Sequence, residues 1–473
     1  MAAGVSYKMV LAVATTCVFV VVAKAVVVQG KMSRAEGSTK TAERRLEYTE
    51  HHEVFKSEGG SVSMWADSFE QISGAGRKFS ALHLTLEEDG FLLPNYSPGH
   101  GVIYVLEGSA YVGLMTPWGI PATLQRTKKG EMFVVPRGWV TWICNHHHKS
   151  ETGGGQTSTF KALAVVDFPA SLASEKGGKT ETNGCYFLAG ASERGGEGRA
   201  GHGSVLHGFS NDVLAQAWGL DEADVDKLLR SQEGVGIVKV TKTGHPELWE
   251  RFVRKLSHME VLSDMFSFVD GLAHTKRHGG RHGEEETASW FLGEFTYNVE
   301  TATPAVFNEG GEMRVVGKEL LPTLGRFGMG FSLAVGKLKK GALQAPGWSV
   351  NAHRIVYVTS GSGRIQIAHP NGSNALNTHV RAGSVVVIPR FYPSVKIASK
   401  DGLEFVSVTT SSLPLLVNLA GHNSLLNNMP ERVVEEAFNI PSELVKKLRH
   451  QRVQYTVILP PPSSQKQQQE EKL

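Results

Sequence analysis

Histidine is the residue type in this 473-residue chain that offers the widest range of chemistry, and it recurs beside strand-like apolar runs. His100 and His353 stand just before two similar runs, and His146–His148 directly follow a third. Neutral imidazoles together with a carboxylate bind a divalent metal and leave coordination positions open. The chemistry to test is therefore metal binding, which requires several ligands to converge on one point.

The local pattern does not bring these histidines together. Adjacent residues on a strand point to opposite faces, so His146–His148 cannot converge easily, and we interpret them as a solvated loop. His100 and His353 each stand alone, which favours a surface or hydrogen-bonded core position over a metal ligand. Other catalytic motifs are missing: the sequence has no Cys-x-x-Cys and no Gly-x-Ser-x-Gly, and the phosphate-loop-like Gly178-Lys179-Thr180 has Ala173 where glycine is required.

The elements that carry the histidines belong to a repeated module. Val102–Gly108 matches Ile355–Gly361, and Gly130–Arg137 matches Gly383–Arg390, both at an offset of 253 residues. Short runs rich in Val, Ile and Tyr, bounded by Gly, Pro and Asn, predict many short strands in a sandwich or barrel.

Each module then ends in a predicted helical stretch with an apolar stripe, which we interpret either as core or as a subunit-contact surface. The residues at helical spacing are Val213, Leu214, Ala217, Trp218, Val225, Leu228 and Leu229 in the first module and Leu444, Val445 and Leu448 in the second.

Composition excludes some partners and leaves others open. A net charge of +3 with 20% charged residues gives no reason to expect nucleic acid or acidic membranes. The apolar fraction of 41% is enough for large cores. Beyond the N-terminal apolar stretch, the two cysteines are Cys144 and Cys185, which could pair in an oxidising compartment or remain thiols.

The N-terminus predicts entry into the secretory pathway. Lys8 precedes an apolar run that ends at Ala23-Lys24-Ala25, with small residues where a signal peptidase reads. We predict a signal peptide over residues 1–25 and no stable membrane association after its removal; a retained anchor is the alternative. Asn-x-Ser sequons make Asn95 and Asn371 possible glycosylation sites.

Three motifs resemble the bicupin seed storage globulins, the legumin or glutelin type in particular: Asn351–Gln366, Leu419–Ser424 and Gly283–Thr287. The resemblance covers roughly residues 54 to 449. It implies a mainly β fold of two tandem cupin (double-stranded β-helix or jelly-roll) barrels, each with a C-terminal helical arm. It also implies that the chain assembles with itself into a homotrimer or hexamer, and that it is an amino-acid reserve without catalytic activity.

The resemblance also indicates where catalytic cupins hold a metal ion, with three histidines and one glutamate per barrel. None of these ligands is convincingly present, and the positions are degenerate in both modules. The residues are Asn95 (or Pro94), Gly101 and Thr141 in the first module, with the framework residue Asn145 retained, and Gly347, Arg354 and Ser394 in the second. We therefore predict no metal, no cofactor and no catalytic residue.

Two departures from the legumin pattern concern processing. Legumins are cut after an asparagine that precedes glycine, whereas His282 precedes Gly283 here. The inter-chain cysteine that follows the cut is also missing, because the sequence runs Ala288-Ser289-Trp290. We therefore expect an unprocessed chain without that disulfide.

The predicted organisation is a signal peptide (1–25), a polar segment (26–53), a first cupin with its helical arm (54–240), a linker (241–290), a second cupin with its arm (291–450) and a disordered tail (451–473). The predicted function is that of a nutrient reservoir in a vacuolar protein body, or outside the cell. A small-molecule-binding cupin and a germin-like metal-dependent oxidoreductase are the alternatives.

Overall fold

The computed structural model describes residues 46–461, apart from positions 67, 75 and 120 and the ranges 146–158, 170–173, 177–178, 182–184, 192–202 and 241–293. The predicted signal peptide, the linker, the processing region and His146–His148 lie outside the described residues. The described chain is mainly β, as predicted, and forms two consecutive jelly-roll modules, module one (residues 46–240) and module two (residues 294–461).

Module one contains fifteen of the described strands and two of the α-helices. The strands are β1 (Glu47–Tyr48), β2 (His52–Ser57), β3 (Gly60–Met64), β4 (Arg77–Leu86), β5 (Gly90–Tyr96), β6 (His100–Glu107), β7 (Ser109–Met115), β8 (Pro121–Lys128), β9 (Glu131–Val135), β10 (Val140–Asn145), β11 (Phe160–Pro169), β12 (Ser174–Lys176), β13 (Lys179–Glu181), β14 (Tyr186–Phe187) and β15 (Ile237–Lys239). A 3-10 helix (Val205–Gly208) precedes α1 (Asn211–Trp218) and α2 (Glu222–Arg230).

Module two contains the other described elements. Its strands are β16 (Thr296–Asn298), β17 (Val306–Asn308), β18 (Gly311–Val316), β19 (Ser332–Leu338), β20 (Leu343–Ser349), β21 (Arg354–Ala368), β22 (Asn374–Arg381), β23 (Val385–Ile388), β24 (Ser394–Thr409), β25 (Leu416–Asn418) and β26 (Ile458–Leu459). Its helices are two 3-10 turns (Val299–Thr301 and Pro322–Gly325), α3 (Leu425–Asn428), α4 (Glu431–Phe438) and α5 (Ser442–His450).

The strands of both modules pair antiparallel. Module one has one sheet in the order β14-β5-β10-β7-β8, with β15 also on β5, and a second in the order β16-β9-β6-β11-β4-β3-β2. In module two, β1-β23-β21-β24-β19-β18-β17 form one path, to which β20, β22, β25 and β26 attach. The long strand β21 pairs with β23 at its start and with β22 further along, so module two has fewer, longer strands.

The two modules exchange their first strands. β1 of module one pairs with β23 of module two, and β16 of module two pairs with β9 of module one. The backbone N–H of Val387 donates to the carbonyl oxygen of Leu46 at 2.8 Å, and the N–H of Val134 donates to that of Phe295 at 2.9 Å. Val134 and Val387 are 253 residues apart, so the exchange follows the repeat.

This exchange corrects the predicted N-terminal segment. Residues 46–53 are not a polar extension outside the modules, because β1 belongs to the sheet of module two and β2 begins at His52. The predicted tail also needs correction. Ile458 and Leu459 are buried in β26, which pairs with β20, so the ordered chain extends beyond residue 450.

The helices divide their apolar residues between two environments. Leu214 and Val225 pack together between α1 and α2, and Val434 and Val445 are buried at the equivalent places in α4 and α5. Other members of the same stripes are exposed on the surface, so the core interpretation holds for only part of each stripe, and the subunit-contact interpretation stays a prediction for the rest. Among the described residues no helix is long and apolar enough to cross a membrane. Cys144 and Cys185 are not joined to each other.

Two equivalent glycines turn the chain at the same point in each module. Gly108 lies between β6 and β7 with φ of +73°, and Gly361 lies within β21 with φ of +71°. A Cβ atom would stand 2.3 Å from the carbonyl oxygen of Thr159 at the first glycine and 2.3 Å from that of Gly402 at the second. Both the backbone angle and the close approach of a neighbouring strand therefore require glycine.

Replacing Gly361 by alanine is expected to lower the free energy of unfolding by at least about 3 kcal/mol, because left-handed strain and a backbone clash combine. The matched control is Gly372→Ala, where φ is +87° and no atom lies within 4 Å of the added Cβ. That variant should lose only about 1 kcal/mol from the backbone angle. Urea unfolding measures both, and equal losses would show that the close approach does not matter.

Candidate functional site

In module one, the polar side chains at the degenerate metal positions donate hydrogen bonds to backbone carbonyl oxygens. Asn95 on β5 is buried, and its amide Nδ2 donates to the carbonyl oxygens of Leu93 at 2.8 Å and Thr141 at 3.2 Å. Thr141 on β10 lies opposite Asn95, and its hydroxyl donates to the carbonyl oxygen of Gly113 at 3.1 Å. These bonds tie neighbouring strands together and leave the amide of Asn95 engaged.

The burial of Asn95 also corrects one of the two glycosylation predictions. Its side chain is 2% exposed, so the folded module has no room for a glycan there. Asn371, in contrast, is exposed in the turn between β21 and β22, with its Oδ1 accepting from the backbone N–H and hydroxyl of Ser373. Glycosylation at Asn371 stays a prediction.

The two remaining positions of module one are a framework residue and a glycine. The amide of Asn145 is buried and donates to the carbonyl oxygens of Leu86 and Glu87 at 3.0 and 2.9 Å, which fixes the end of β10 against the β4–β5 turn. Gly101 on β6 has no side chain, and a Cβ there would contact Ile103 at 3.5 Å. Neither position supplies a ligand for a divalent ion.

In module two, Arg354 takes the place of the glutamate. It is the first residue of β21, is 7% exposed, and donates from Nη2 to the hydroxyl oxygen of Ser394 at 2.8 Å. Gly347 lies opposite Ser394 on β20. A Cβ at Gly347 would stand 2.2 Å from the carbonyl oxygen of Val417, so no histidine fits there without moving β25.

These residues do not fit a cupin metal. A divalent cation requires imidazole and carboxylate ligands, whereas the six residues described above, out of eight ligand positions, offer an amide, two hydroxyls, two glycines and a guanidinium. Arg354 carries a positive charge where the metal would bind, so it would repel a cation. Among the described residues, no three His, Cys, Asp or Glu side chains are grouped closely enough to hold a metal ion.

His100 and His353 occupy equivalent structural positions. Nδ1 of His100 accepts a hydrogen bond from the backbone N–H of Arg137 at 3.0 Å, and Nδ1 of His353 accepts one from that of Arg390 at 3.1 Å. Burial, and then the charge of the neighbouring arginine, lower the pKa of each histidine to about 4. The rings are therefore neutral, carry their proton on Nε2, and pin the turn after β9 and after β23.

Sequence reasoning missed the most unusual group in this region, which is Lys396. Its side chain is 2% exposed in the interior of module two, and its ammonium donates to Oε1 of Gln344 at 2.7 Å. Lys396 lies two residues after Ser394 on β24, the residue that Arg354 contacts. The basic residue in a run of valine, isoleucine and alanine was the available signal.

Comparison with known proteins identifies the family. A family model described as Cupin matches residues 46–159 and again residues 297–446. The chain belongs to the cupin family. An 11S globulin seed storage protein of Anacardium occidentale is 27% identical over 440 residues, covering 87% of this chain and 91% of its own length. Another 11S globulin seed storage protein, of Sesamum indicum, is 25% identical and covers 85% and 88%.

A solved structure extends the likeness to the fold. The crystal structure of the coconut allergen cocosin superposes with a TM-score of 0.68 at 24% identity, covering 89% of this chain and 99% of that one. The predicted two-cupin jelly-roll fold and the predicted globulin type are confirmed, and a glutelin type-D of Oryza sativa is also among the relatives. Since these relatives are seed storage globulins, the predicted storage-globulin character is confirmed as well.

The two histidines predict how stability responds to acid. In the unfolded chain their pKa is about 6.5, so between pH 6.5 and about 4 the unfolded state binds more protons than the folded state. Their contribution is complete above pH 6.5 and is lost as the pH falls. The double variant His100→Asn/His353→Asn, which keeps an acceptor but cannot titrate, should lose less stability than the original between pH 6.5 and 5.

Thermal midpoints measured from pH 7 to pH 5 test this prediction. The window stops at pH 5 so that carboxylates contribute little. The exposed His422→Asn variant is the control, and it should follow the original protein. If the double variant loses stability as steeply as the original, the histidines do not set this pH dependence.

Proposed function

We propose that this cupin is a non-catalytic reserve protein of the storage-globulin type. The observation that carries the proposal is the replacement of the metal ligands in both modules while the surrounding fold is kept. Asn95 and Thr141 form hydrogen bonds between strands in module one, and Arg354 occupies the position of the glutamate in module two. A reserve protein needs bulk, stability and assembly, and it does not need open coordination positions.

The storage-globulin relatives support this function and a destination in the secretory pathway. We place the protein in a vacuolar protein body, where a reserve of amino acids accumulates, and outside the cell as the alternative. The relatives cover the chain over 85% or more of its length, so the support applies to both modules together.

A germin-like oxidoreductase is the enzymatic alternative, and a physical argument stands against it. Substituting a guanidinium for a carboxylate exchanges a negative for a positive charge beside the metal position. A complete metal-ligand set would therefore require several simultaneous replacements, including one at Gly347, where the carbonyl oxygen of Val417 on β25 leaves no room for a side chain. A small-molecule-binding function has a separate observation in its favour, because the basic side chains of Arg354 and Lys396 are both buried in module two.

Elemental analysis of the purified full-length chain tests the absence of a metalloenzyme. After dialysis against a chelator and reloading with Mn²⁺ or Fe²⁺, bound metal should stay well below one ion per chain, because no convergent ligand set exists in the described modules. An authentic metal-dependent cupin oxidase treated in parallel is the positive control. One tightly bound ion per chain, together with oxidase activity, would overturn the reserve proposal.

Self-assembly is the second part of the proposed function. The two helical arms expose large apolar side chains at equivalent places: Val213 and Val433, Trp218 and Phe438, and Leu228 and Leu448. Each is at least 40% exposed, although its helical neighbours Leu214 or Val445 are buried. Exposed apolar faces of this kind are typical of contact surfaces between subunits.

The repeat suggests the geometry of the assembly. Because one chain carries two similar apolar arms, the arm of module one can contact the arm of module two in a second copy. Such a heterologous contact forms a ring when the rotation closes. We propose a homotrimer, with pairing of two trimers into a hexamer as the next level.

Charge placed on the arms should dissociate the assembly. Leu228→Glu and Leu448→Glu put a carboxylate on each arm, where desolvation would oppose the contact, while both positions are exposed in the monomer and leave the fold intact. Size-exclusion chromatography with light scattering should then show mostly monomer. Trp118→Glu, at an exposed apolar residue outside the helices, is the control and should keep the oligomer. A monomeric original protein would contradict the assembly proposal.

A further inference from the structure

The turn between β21 and β22 contains an asparagine that the fold does not require. His369, Pro370, Asn371 and Gly372 form the turn, and the backbone N–H of Gly372 donates to the carbonyl oxygen of His369 at 2.8 Å. Gly372 has φ of +87°, and Pro370 through Ser373 are all exposed. Proline in the second position and glycine in the left-handed position favour a type I turn followed by a bulge, so these two residues account for the turn.

Module one contains the same turn with a different residue in it. Trp118 and Gly119 lie 253 positions before Asn371 and Gly372. The N–H of Gly119 donates to the carbonyl oxygen of Thr116 at 3.0 Å, and φ of Gly119 is +78°. Because tryptophan occupies the equivalent position, the shared hydrogen bond and backbone angle do not explain the asparagine of module two.

The side chain of Asn371 is held against the backbone that follows it. Its Oδ1 accepts a hydrogen bond from the backbone N–H of Ser373 at 3.0 Å and another from the Ser373 hydroxyl at 2.7 Å. The first of these bonds closes an Asx-turn, a ring that includes both Cγ of Asn371 and the backbone nitrogen of Gly372. Those two atoms are therefore kept close together, which favours a reaction between them.

The two donors on Oδ1 also activate the amide of Asn371. They draw electron density from Cγ, and they would stabilise the negative charge that develops on Oδ1 when a nucleophile attacks, as donors do in an oxyanion hole. Gly372 offers little steric hindrance, because it has no side chain and no atom lies within 4 Å of the place of a Cβ. The turn is exposed, so water reaches it.

We propose that Asn371 is a site of spontaneous deamidation, in which Gly372 attacks the side chain of Asn371. The backbone nitrogen of Gly372 loses its proton and bonds to Cγ, the bond from Cγ to Nδ2 breaks, and the amide group leaves with a proton as ammonia. Water then opens the resulting cyclic imide at either carbonyl carbon. The product is aspartate or isoaspartate at position 371.

One existing contact opposes this reaction. The N–H of Gly372 donates to the carbonyl oxygen of His369 and must be released before the nitrogen reacts. Because the turn is exposed, water replaces that bond, so the cost is that of one exposed hydrogen bond and not that of unfolding the strands. The rate should rise with pH, since the nitrogen reacts after losing its proton.

Deamidation leaves a permanent chemical change in the turn. Each event replaces a neutral amide by a carboxylate, and the isoaspartate form adds a methylene group to the backbone. It also removes the nitrogen to which a glycan would be attached, whereas a glycan already on Nδ2 would block the loss of ammonia. The state of residue 371 therefore records the age of an unglycosylated chain. This modification goes beyond the reserve function and does not depend on it.

Peptide mapping by mass spectrometry tests the proposal on the full-length protein, produced in a host that does not glycosylate asparagine. Samples are kept folded at pH 6 and at pH 8, and fragmentation assigns deamidation to each asparagine. Asn374, which is exposed but precedes Ala375, is the internal control. Asn371 should deamidate at least about tenfold faster than Asn374, and faster at pH 8 than at pH 6. Deamidation of Asn371 no faster than that of Asn374 would overturn the proposal.

Two variants at Ser373 test the contribution of the turn. Ser373→Ala removes the hydroxyl donor to Oδ1, and it should slow the deamidation of Asn371 by about two- to tenfold, the range expected for one hydrogen bond. Ser373→Thr keeps the donor and should react at the original rate. Thermal midpoints equal to that of the original protein confirm that both variants are folded. An unchanged rate in Ser373→Ala would overturn the role assigned to the hydroxyl.

Discussion

The exchange of first strands between the modules is the constraint on which the rest of the structure depends. Each module completes a sheet of the other, through Leu46–Tyr48 at one end and Phe295–Asn298 at the other. The buried residues of module one and of the facing strands of module two form a single apolar cluster. Neither module therefore has its complete set of hydrogen bonds alone, and we infer that the two fold as one cooperative unit.

This joint core explains why the fold tolerates the loss of metal chemistry. The degenerate positions lie inside strands that the core already holds in register, so an amide at Asn95 or a hydroxyl at Thr141 need only satisfy local carbonyl groups. A metal would add stability through its ligands, whereas the described modules are held by a large apolar core and by the exchanged strands. The interior positions are consequently free to change, within the limits of burial.

The sequence predicts much of this architecture because the relevant signals are local. Gly108 and Gly361 are visible from the repeat, and the apolar run Val385–Ile388 predicts the strand that the structure has. The strand exchange is not predictable in this way, because β1 has only two residues and its partner lies more than 300 residues away. The burial of Lys396 cannot be predicted from the sequence for another reason. Alternation would place Val395 and Ile397 inside, but they are half-buried on the other face of β24.

Comparing equivalent positions of the two modules separates the residues that the fold requires from the residues that the fold does not require. Where the halves agree, as at Gly108 with Gly361 and at His100 with His353, the same backbone contact recurs, so packing explains the residue. Where the halves differ in charge at a buried position, packing alone does not explain the charged residue, because an apolar side chain fills the equivalent position in the other half. Lys396, at the position equivalent to Ile143 of module one, is such a difference. The residues that distinguish the modules are therefore better guides to a specific function than those they share.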